Sequence, residues 1–360
     1  MLLIVAGAVV VLLIVAIGVT IGLSGGDDKK NANTSEQSES EGGQAGKAAQ
    51  NLAAVRALRY NGSFSSSGTT MQTQLSVTKA GSGSGSITVG GEKVDMIVVD
   101  GTTYLKAGKS FWRSHGGVTT NPEDYAGKWS RAASSTLDLD VKDMLVPSTI
   151  VQRLQAAAPS LVGDGADVNG TPALRVATAD GEYYISKAQP HKLLRIKSTG
   201  TDTYQFDVTE VAASETIALF RELQGKVRNL TGALDPGVRF LPSGSLKFSN
   251  CGSGGCTLKY TVTSLSLSSS SSVRAVLKAT IRASGRDLGT CTDTRSVSAS
   301  KKVNLSCTVT SGGWKSWVRW ARSTPGSHRY EARARVVAQA VSAGDVNGLL
   351  AKLSQEQQSV

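Results

Sequence analysis

Cys251, Cys256, Cys291 and Cys307 are the only cysteines of a 360-residue chain, and all four fall in its last third. Two chemistries suit such a group: metal ligation and disulfide formation. A C-x4-C pair followed by C-x15-C, with no histidine beside either, is a poor zinc ligand set. Four cysteines allow three pairings. Proximity favours Cys251 with Cys256 and Cys291 with Cys307, and such bridges imply an oxidising compartment. The three histidines, His115, His191 and His328, stand far apart, and neither G-x-S-x-G nor H-E-x-x-H occurs, so a hydrolytic triad has no local support. Ala107-Gly108-Lys109-Ser110 imitates the end of a phosphate-binding loop, but Thr103 stands where that loop needs its first glycine. Asp164-Gly165-Ala166-Asp167-Val168-Asn169-Gly170 fails the spacing of a calcium loop and reads better as a tight hairpin. No catalytic residue, metal or cofactor is assigned, and the chain is not expected to be an enzyme.

The chemistry that remains is binding by charge. The net charge of +11 is unevenly spread: residues 1–243 hold 23 Lys and Arg against 23 Asp and Glu, whereas residues 244–340 hold 15 against 3. One module thus presents a positive surface that concentrates anions, an effect that fades with salt. Within it, Trp314-Lys315-Ser316-Trp317-Val318-Arg319-Trp320 reads as a strand with Trp314, Val318 and Trp320 facing the core and Lys315, Trp317 and Arg319 facing out. Together with Arg333 and Arg335 on the following strand, these form a candidate anion-binding set: Lys315, Trp317, Arg319, Arg333 and Arg335. The plainer reading is a solvated sheet face with one surface tryptophan. Phospholipid head groups and phosphate-bearing wall polymers are the expected anions; nucleic acid would require the opposite topology and is not expected.

The elements that must position these groups follow from hydropathy. Met1 to Leu23 carries no charge and is long enough, at about 1.5 Å per residue, to cross a hydrocarbon core of about 30 Å. It reads as one transmembrane helix of a single-pass cell-membrane protein, the alternative being a cleaved signal peptide, and the expected disulfides place the body outside. Residues 24–45 are polar and Gly-rich, the composition of a disordered linker. Residues 46–213 form a first module, opened by a short helix carrying Leu52, Val55 and Leu58 and closed at Asn61-Gly62. Alternation at Met71, Thr73, Leu75 and Val77, a turn at Asp100-Gly101, and a second run at Tyr204, Phe206 and Val208 predict antiparallel hairpins. A helical stretch, Asp140 to Ala157, is interrupted at Pro147. Residues 214–243 hold a connecting helix with Ile217, Phe220, Leu223, Val227 and Leu230 on one face. Residues 244–340 predict about seven short strands, a β-sandwich that is immunoglobulin-like in architecture only. Residues 341–360 end the chain as a helix with Val346, Leu349, Leu350 and Leu353, capped near Asp345.

The run Val98 to Lys106, the later Ala126-Gly127-Lys128-Trp129, and the unit Gly181 to Ile185, Pro190 and Leu193 to Ile196 resemble actinobacterial lipoproteins of the LppX/LprG type across residues 46–243. The resemblance implies a LolA-like fold: an antiparallel half barrel closed by helices, with acyl chains of a lipid held between them. It implies a lipid-binding lining at Val77, Ile97, Tyr104, Ile150, Leu154 and Phe206. The other reading of those six residues is a dry core. The chain lacks the lipobox cysteine of that family, its first cysteine being Cys251. The expected whole is an α+β protein: a LolA-like half barrel that binds a lipid or other amphiphile, then a basic, disulfide-bonded sandwich that contacts anionic head groups or wall polymers. The alternative is a structural or adhesive ectodomain with a packed half barrel.

Overall fold

The computed structural model describes residues 32–157, 162–199, 203–266, 273–298 and 300–359. The predicted membrane span and the first residues of the predicted linker lie outside them. No helix among the described residues is long and apolar enough to cross a membrane. Residues 32–45, expected as linker, are helical and belong to α1 (Ala32–Ala54). The reason lies in small residues: Ala45, Ala48, Ala49 and Leu52 recur at helical spacing and all four are buried. Leu58 and Asn61-Gly62, expected to end that helix, instead lie on β1 (Ala57–Ser66).

The rest of the first module is a long meander. It runs through β2 (Thr69–Thr78), β3 (Gly83–Val89), β4 (Glu92–Val99) and β5 (Thr102–Lys106). After α2 (Lys109–Ser114) come β6 (Trp129–Arg131), α3 (Ser134–Leu137), α4 (Val141–Met144) and α5 (Pro147–Ala156), with Pro147 at the start of α5 as the sequence predicts. Then follow β7 (Val162–Val168), β8 (Thr171–Thr178), β9 (Gly181–Ser186), β10 (Leu193–Lys197) and β11 (Tyr204–Glu210). All join one antiparallel eleven-stranded sheet in the order β6-β5-β4-β3-β2-β1-β11-β10-β9-β8-β7. The pairing of β1 with β11 closes the two halves of the meander, with Gly62 opposite Phe206. A Cβ at Gly62 would lie 2.0 Å from the Gln205 carbonyl oxygen, so glycine is what lets these strands meet.

Helices cover both faces of this sheet. Side chains alternate along each strand, so Val94, Met96 and Val98 of β4 enter one core while Ile97 and Val99 enter another. The first core packs beneath α1 and α5 through Leu52, Ile150 and Leu154. The second packs beneath α6 (Ala213–Arg228), through Leu219, Phe220, Leu223 and Val227. Ile217, expected on that apolar face, is 46% exposed, and Leu219 takes its place.

The second module begins earlier than expected, because β12 (Val238–Pro242) already pairs with its sheet. β12 and β13 (Lys247–Gly252) share one edge of β14 (Gly255–Ser266), along its two halves, and β17 (Lys302–Val309) takes the other. A second sheet has the order β16-β15-β18, from β15 (Val273–Ala283), β16 (Arg286–Val297) and β18 (Glu331–Gln339). Leu258 and Leu305 of the first sheet and Leu277 and Ile281 of the second meet in one core. The whole is therefore α+β, with large antiparallel sheets and few helices. Between β17 and β18 stands a helix, α7 (Gly312–Ser323), where a strand was expected.

The chain ends in α8 (Ala343–Ser359), which returns to the first module and adds Val346 and Leu353 to the core beneath α6. Its N-terminus is capped by Ser342 rather than by Asp345 alone. The Asp345 carboxylate accepts from the Ser342 hydroxyl at 2.6 Å and its backbone N–H at 2.7 Å, while the Asp345 N–H donates to the Ser342 hydroxyl at 3.3 Å. The Ser342 hydroxyl first, and its N–H second, hold the Asp345 carboxyl below the ordinary carboxylate range. A lowered native pKa stabilises the fold above the unfolded value, and that contribution is lost as pH falls through the native one. Asp345→Ala should therefore cost about 1 kcal/mol near pH 7. In thermal unfolding, the gap between variant and parent should close as the pH is brought below the carboxylate range.

Candidate functional site

The basic module is braced before it is charged. Cys251 and Cys256 form a disulfide across the β13–β14 hairpin, and Cys291 and Cys307 form one between β16 and β17, the pairing that proximity favours. The second bridge joins the two sheets at one side. There the Ser306 N–H donates to the Asp293 carboxylate at 2.8 Å. Burial pushes the Asp293 carboxyl up, but the bonds from Ser306 and Arg295 outweigh it and hold the group below its ordinary value.

The tryptophan run is helical because its apolar residues fit a helix better than a strand. Trp314, Trp317, Val318 and Ala321 recur at spacings of three and four, and Ser311 accepts from the Trp314 N–H at 3.2 Å as a cap. Gly313 allows the close approach: a Cβ there would lie 2.6 Å from the Leu288 carbonyl oxygen. Trp314 enters the core, donates its indole N–H to the Gly252 carbonyl at 2.9 Å, and packs edge-on against Tyr330. Trp317 stacks on Trp314 and also meets Tyr330, so it packs against the core rather than facing out. Trp320, expected inside, is 50% exposed and lies against His328.

The five candidate anion-binding residues are divided between a helix and a strand. Lys315 and Arg319 are exposed on α7 and Arg333 and Arg335 on β18, while Trp317 is half-buried against the core. Arg335 is engaged across the modules, 3.2 Å from the carboxylates of both Glu123 and Asp124. Hydrogen bonding to its own backbone N–H, and then the Arg335 guanidinium, hold Glu123 below its ordinary range.

The strand register brings together cations that the sequence pattern did not connect. Lys278 of β15 lies directly opposite Arg335 of β18, and Lys247 of β13 directly opposite Lys259 of β14. Arg333 lies opposite Thr280 on the same face as Lys278, beside the outward Thr290, Thr292 and Thr294 of β16. Like charges directly opposite on a sheet, with Cβ atoms about 5 Å apart, repel. Among the described residues, only Arg282, Arg295 and Arg335 of residues 244–340 find a carboxylate within ion-pairing distance. These juxtapositions depend on which strands pair, a non-local fact that no local spacing reveals.

The residues expected to line a lipid cavity are split between two cores. Val77, Ile150, Leu154 and Phe206 lie in the core beneath α1 and α5, and Ile97 and Tyr104 in the one beneath α6 and α8. The strand alternation that sends Val98 one way sends Ile97 the other. All six are buried in side-chain packing. In the first core the Tyr60 hydroxyl donates to the Leu145 carbonyl at 2.5 Å, tying the sheet to the segment between α4 and α5. Burial raises the Tyr60 and Tyr104 hydroxyl pKa values, so both phenols remain neutral. The Asp164 side chain lies outside the described residues. The Asn169-Gly170 turn after β7 is a tight hairpin with φ of 53° and 81°. Among the described residues, no group of three or more His, Cys, Asp or Glu side chains is disposed to hold a metal ion.

No family model and no curated protein matches the chain. Among solved structures it is similar to LprF from Mycobacterium bovis, at 12% identity and a TM-score of 0.31, covering 48% of this chain and 92% of that one. It is also similar to MucB, at 13% identity and a TM-score of 0.26 over 79% of this chain and 96% of that one. MucB in complex with MucA(peri) matches at 12% identity and a TM-score of 0.21, over 78% and 96% of the two chains.

The packing of α7 yields a direct test. Trp314→Ala removes a fully buried indole and should destabilise the protein by about 3–5 kcal/mol. Trp320→Ala, on the same helix but outside the core, should change chemical unfolding by no more than about 0.5 kcal/mol. Equal losses would contradict the helical assignment.

Proposed function

We propose that this chain is a membrane-tethered, extracytoplasmic, non-catalytic binding protein of the cell envelope, whose second module holds phosphate-bearing anions: lipid head groups or wall polymers. The observation that carries this reading is the largely unneutralised charge of residues 244–340, above all Lys247 opposite Lys259, and Lys278 with Arg333 on one face of the second sheet. A fold keeps such pairs at a cost in stability unless an anion lies between them. The two disulfides support an oxidising location, and the uncharged segment from Met1 to Leu23 supports a tether. In this reading the first module is a half barrel of the LppX/LprG kind whose covering helices fill the space between sheet and lid. It is a rigid stage for the basic module rather than a carrier of acyl chains. Burial of Val77, Ile150, Leu154 and Phe206 supports that choice.

Sedimentation with vesicles tests it. The protein should bind phosphatidylglycerol vesicles, or purified anionic wall polymer, at low salt and leave phosphatidylcholine vesicles in the supernatant. Retention should fall steeply as salt is raised. The combined variant Lys247→Ser, Lys259→Ser, Lys278→Ser and Arg333→Ser should lose at least tenfold in affinity for the anionic surface, on the order of 1.4 kcal/mol. Unchanged retention of that variant would dismiss the reading. Preference for vesicles or for wall polymer identifies the natural anion. Protease added to intact cells should remove the body, and full protection would place it on the other side of the membrane.

A further inference from the structure

The junction of the two modules contains an open cleft of about 490 Å³. One wall is the loop from Gly117 to Tyr125 of the first module; the other is built from β12, β14 and β18 of the second. The size lies within the range of small-molecule sites. About half of its lining is apolar, and Val118, Tyr125, Phe240, Tyr260 and Val336 supply apolar and aromatic side chains. Leu241, 52% exposed, extends this apolar surface to the mouth.

Charge decides which ligand fits such a cleft. Three charged residues line it: Asp124, Arg239 and Arg335. Asp124 and Arg335 are committed to one another at 3.2 Å. Arg239 donates to the Gly117 carbonyl at 3.2 Å and meets no carboxylate within ion-pairing distance among the described residues. The single uncompensated charge is therefore positive, on an exposed guanidinium with donors to spare. Burial pushes the Tyr125 hydroxyl up to about 12, against a lowering by Arg239, so this phenol is a neutral donor at any physiological pH. An uncharged apolar ligand would leave Arg239 unanswered, and a small hydrophilic anion would leave the aromatic walls bare.

We propose that the intermodule cleft binds an anionic amphiphile, its chain against Val118, Phe240, Tyr260 and Val336 and its carboxylate or phosphate on Arg239. This site is distinct from the space beneath α1 and α5, and it does not depend on the basic sheet faces holding a polymer. Because its two walls come from different modules, ligand bridges them, and occupancy stabilises their junction.

The test uses the full chain, with titration calorimetry and native mass spectrometry against sodium hexadecanoate below its micellar concentration. One equivalent should bind. Hexadecyl phosphate should bind as well, and the tighter of the two names the head group. Hexadecanol, which has the chain without the charge, should bind at least tenfold more weakly. Arg239→Ser, at an exposed position, should weaken hexadecanoate by about tenfold or more, and Val336→Trp should fill the cleft and abolish binding. Arg329→Ser removes a cation of the same module that does not line the cleft, and should leave the affinity unchanged. Absence of saturable binding would overturn the proposal. So would retained affinity in both cleft variants, which would place the chain elsewhere, or an equal loss in Arg329→Ser, which would reduce the effect to net charge.

Discussion

The arrangement of the two modules depends on a few main-chain hydrogen bonds made by the segment from Gly232 to Asp235. On one side, the Leu234 N–H donates to the Trp129 carbonyl and the Arg131 N–H to the Leu234 carbonyl, at 3.0 and 2.8 Å. On the other, the Asp235 N–H donates to Ala338, the Ala340 N–H to Ala233 and the Gly232 N–H to Val341, at 2.9, 2.7 and 3.0 Å. A single extended stretch is thus shared by the edge of the first sheet and the end of β18. The buried carboxylate of Asp235 seals the joint by pairing with Arg131 at 3.2 Å and accepting from the Gly237 N–H at 3.0 Å. Buried backbone groups seldom go unpaired, so pulling the modules apart would strand donors and acceptors on both sides. The intermodule cleft therefore has walls of fixed separation, and the strands that carry the cations are fixed relative to the first sheet.

A second constraint is the alternation of the eleven-stranded sheet. It forces every strand with apolar residues at consecutive positions to feed two cores. β4 is the clearest case, since Val94, Met96, Ile97, Val98 and Val99 are all buried. A strand of that kind cannot border an empty half barrel on one side and water on the other. Both faces need cover, and the chain supplies α1 and α5 for one, α6 and α8 for the other. The terminal helix is thus part of the first module's architecture although it follows the second in sequence.

Local signals were readable and long-range ones were not. Asp100-Gly101 and Asn169-Gly170 announce hairpins because both residues of each pair must take positive φ, and they do, at 52° and 67° and at 53° and 81°. Pro147 marks the start of α5 for an equally local reason. The cysteine pairs follow from proximity along the chain. By contrast, Trp314-Lys315-Ser316-Trp317-Val318-Arg319-Trp320 satisfies a period of two as well as one of 3.6. The deciding residues are Ser311, which caps, and Gly313, which lets the backbone approach Leu288. The sequence does not show that Ile97 and Tyr104 face a different core from Val77, because burial on both sides of a strand erases the alternation that would reveal it. Lys278 stands opposite Arg335, 57 positions away on β18, a pairing fixed only by the strand register.

Arg335 shows how that register and the module junction meet in one side chain. On its own sheet it stands against Lys278, which disfavours it; across the junction it reaches Glu123 and Asp124, which offset that repulsion. The Arg335 and Glu123 side chains are each nearly half exposed, and exposed pairs contribute at most about 1 kcal/mol and weaken with salt. The backbone bonds of Gly232 to Asp235 carry no such dependence. The junction therefore does not rely on Arg335 for its integrity. Since the loop from Gly117 to Tyr125 is one wall of the cleft, the exposed face of β18 and the cleft share Arg335, and its bond to Asp124 links one wall to the other.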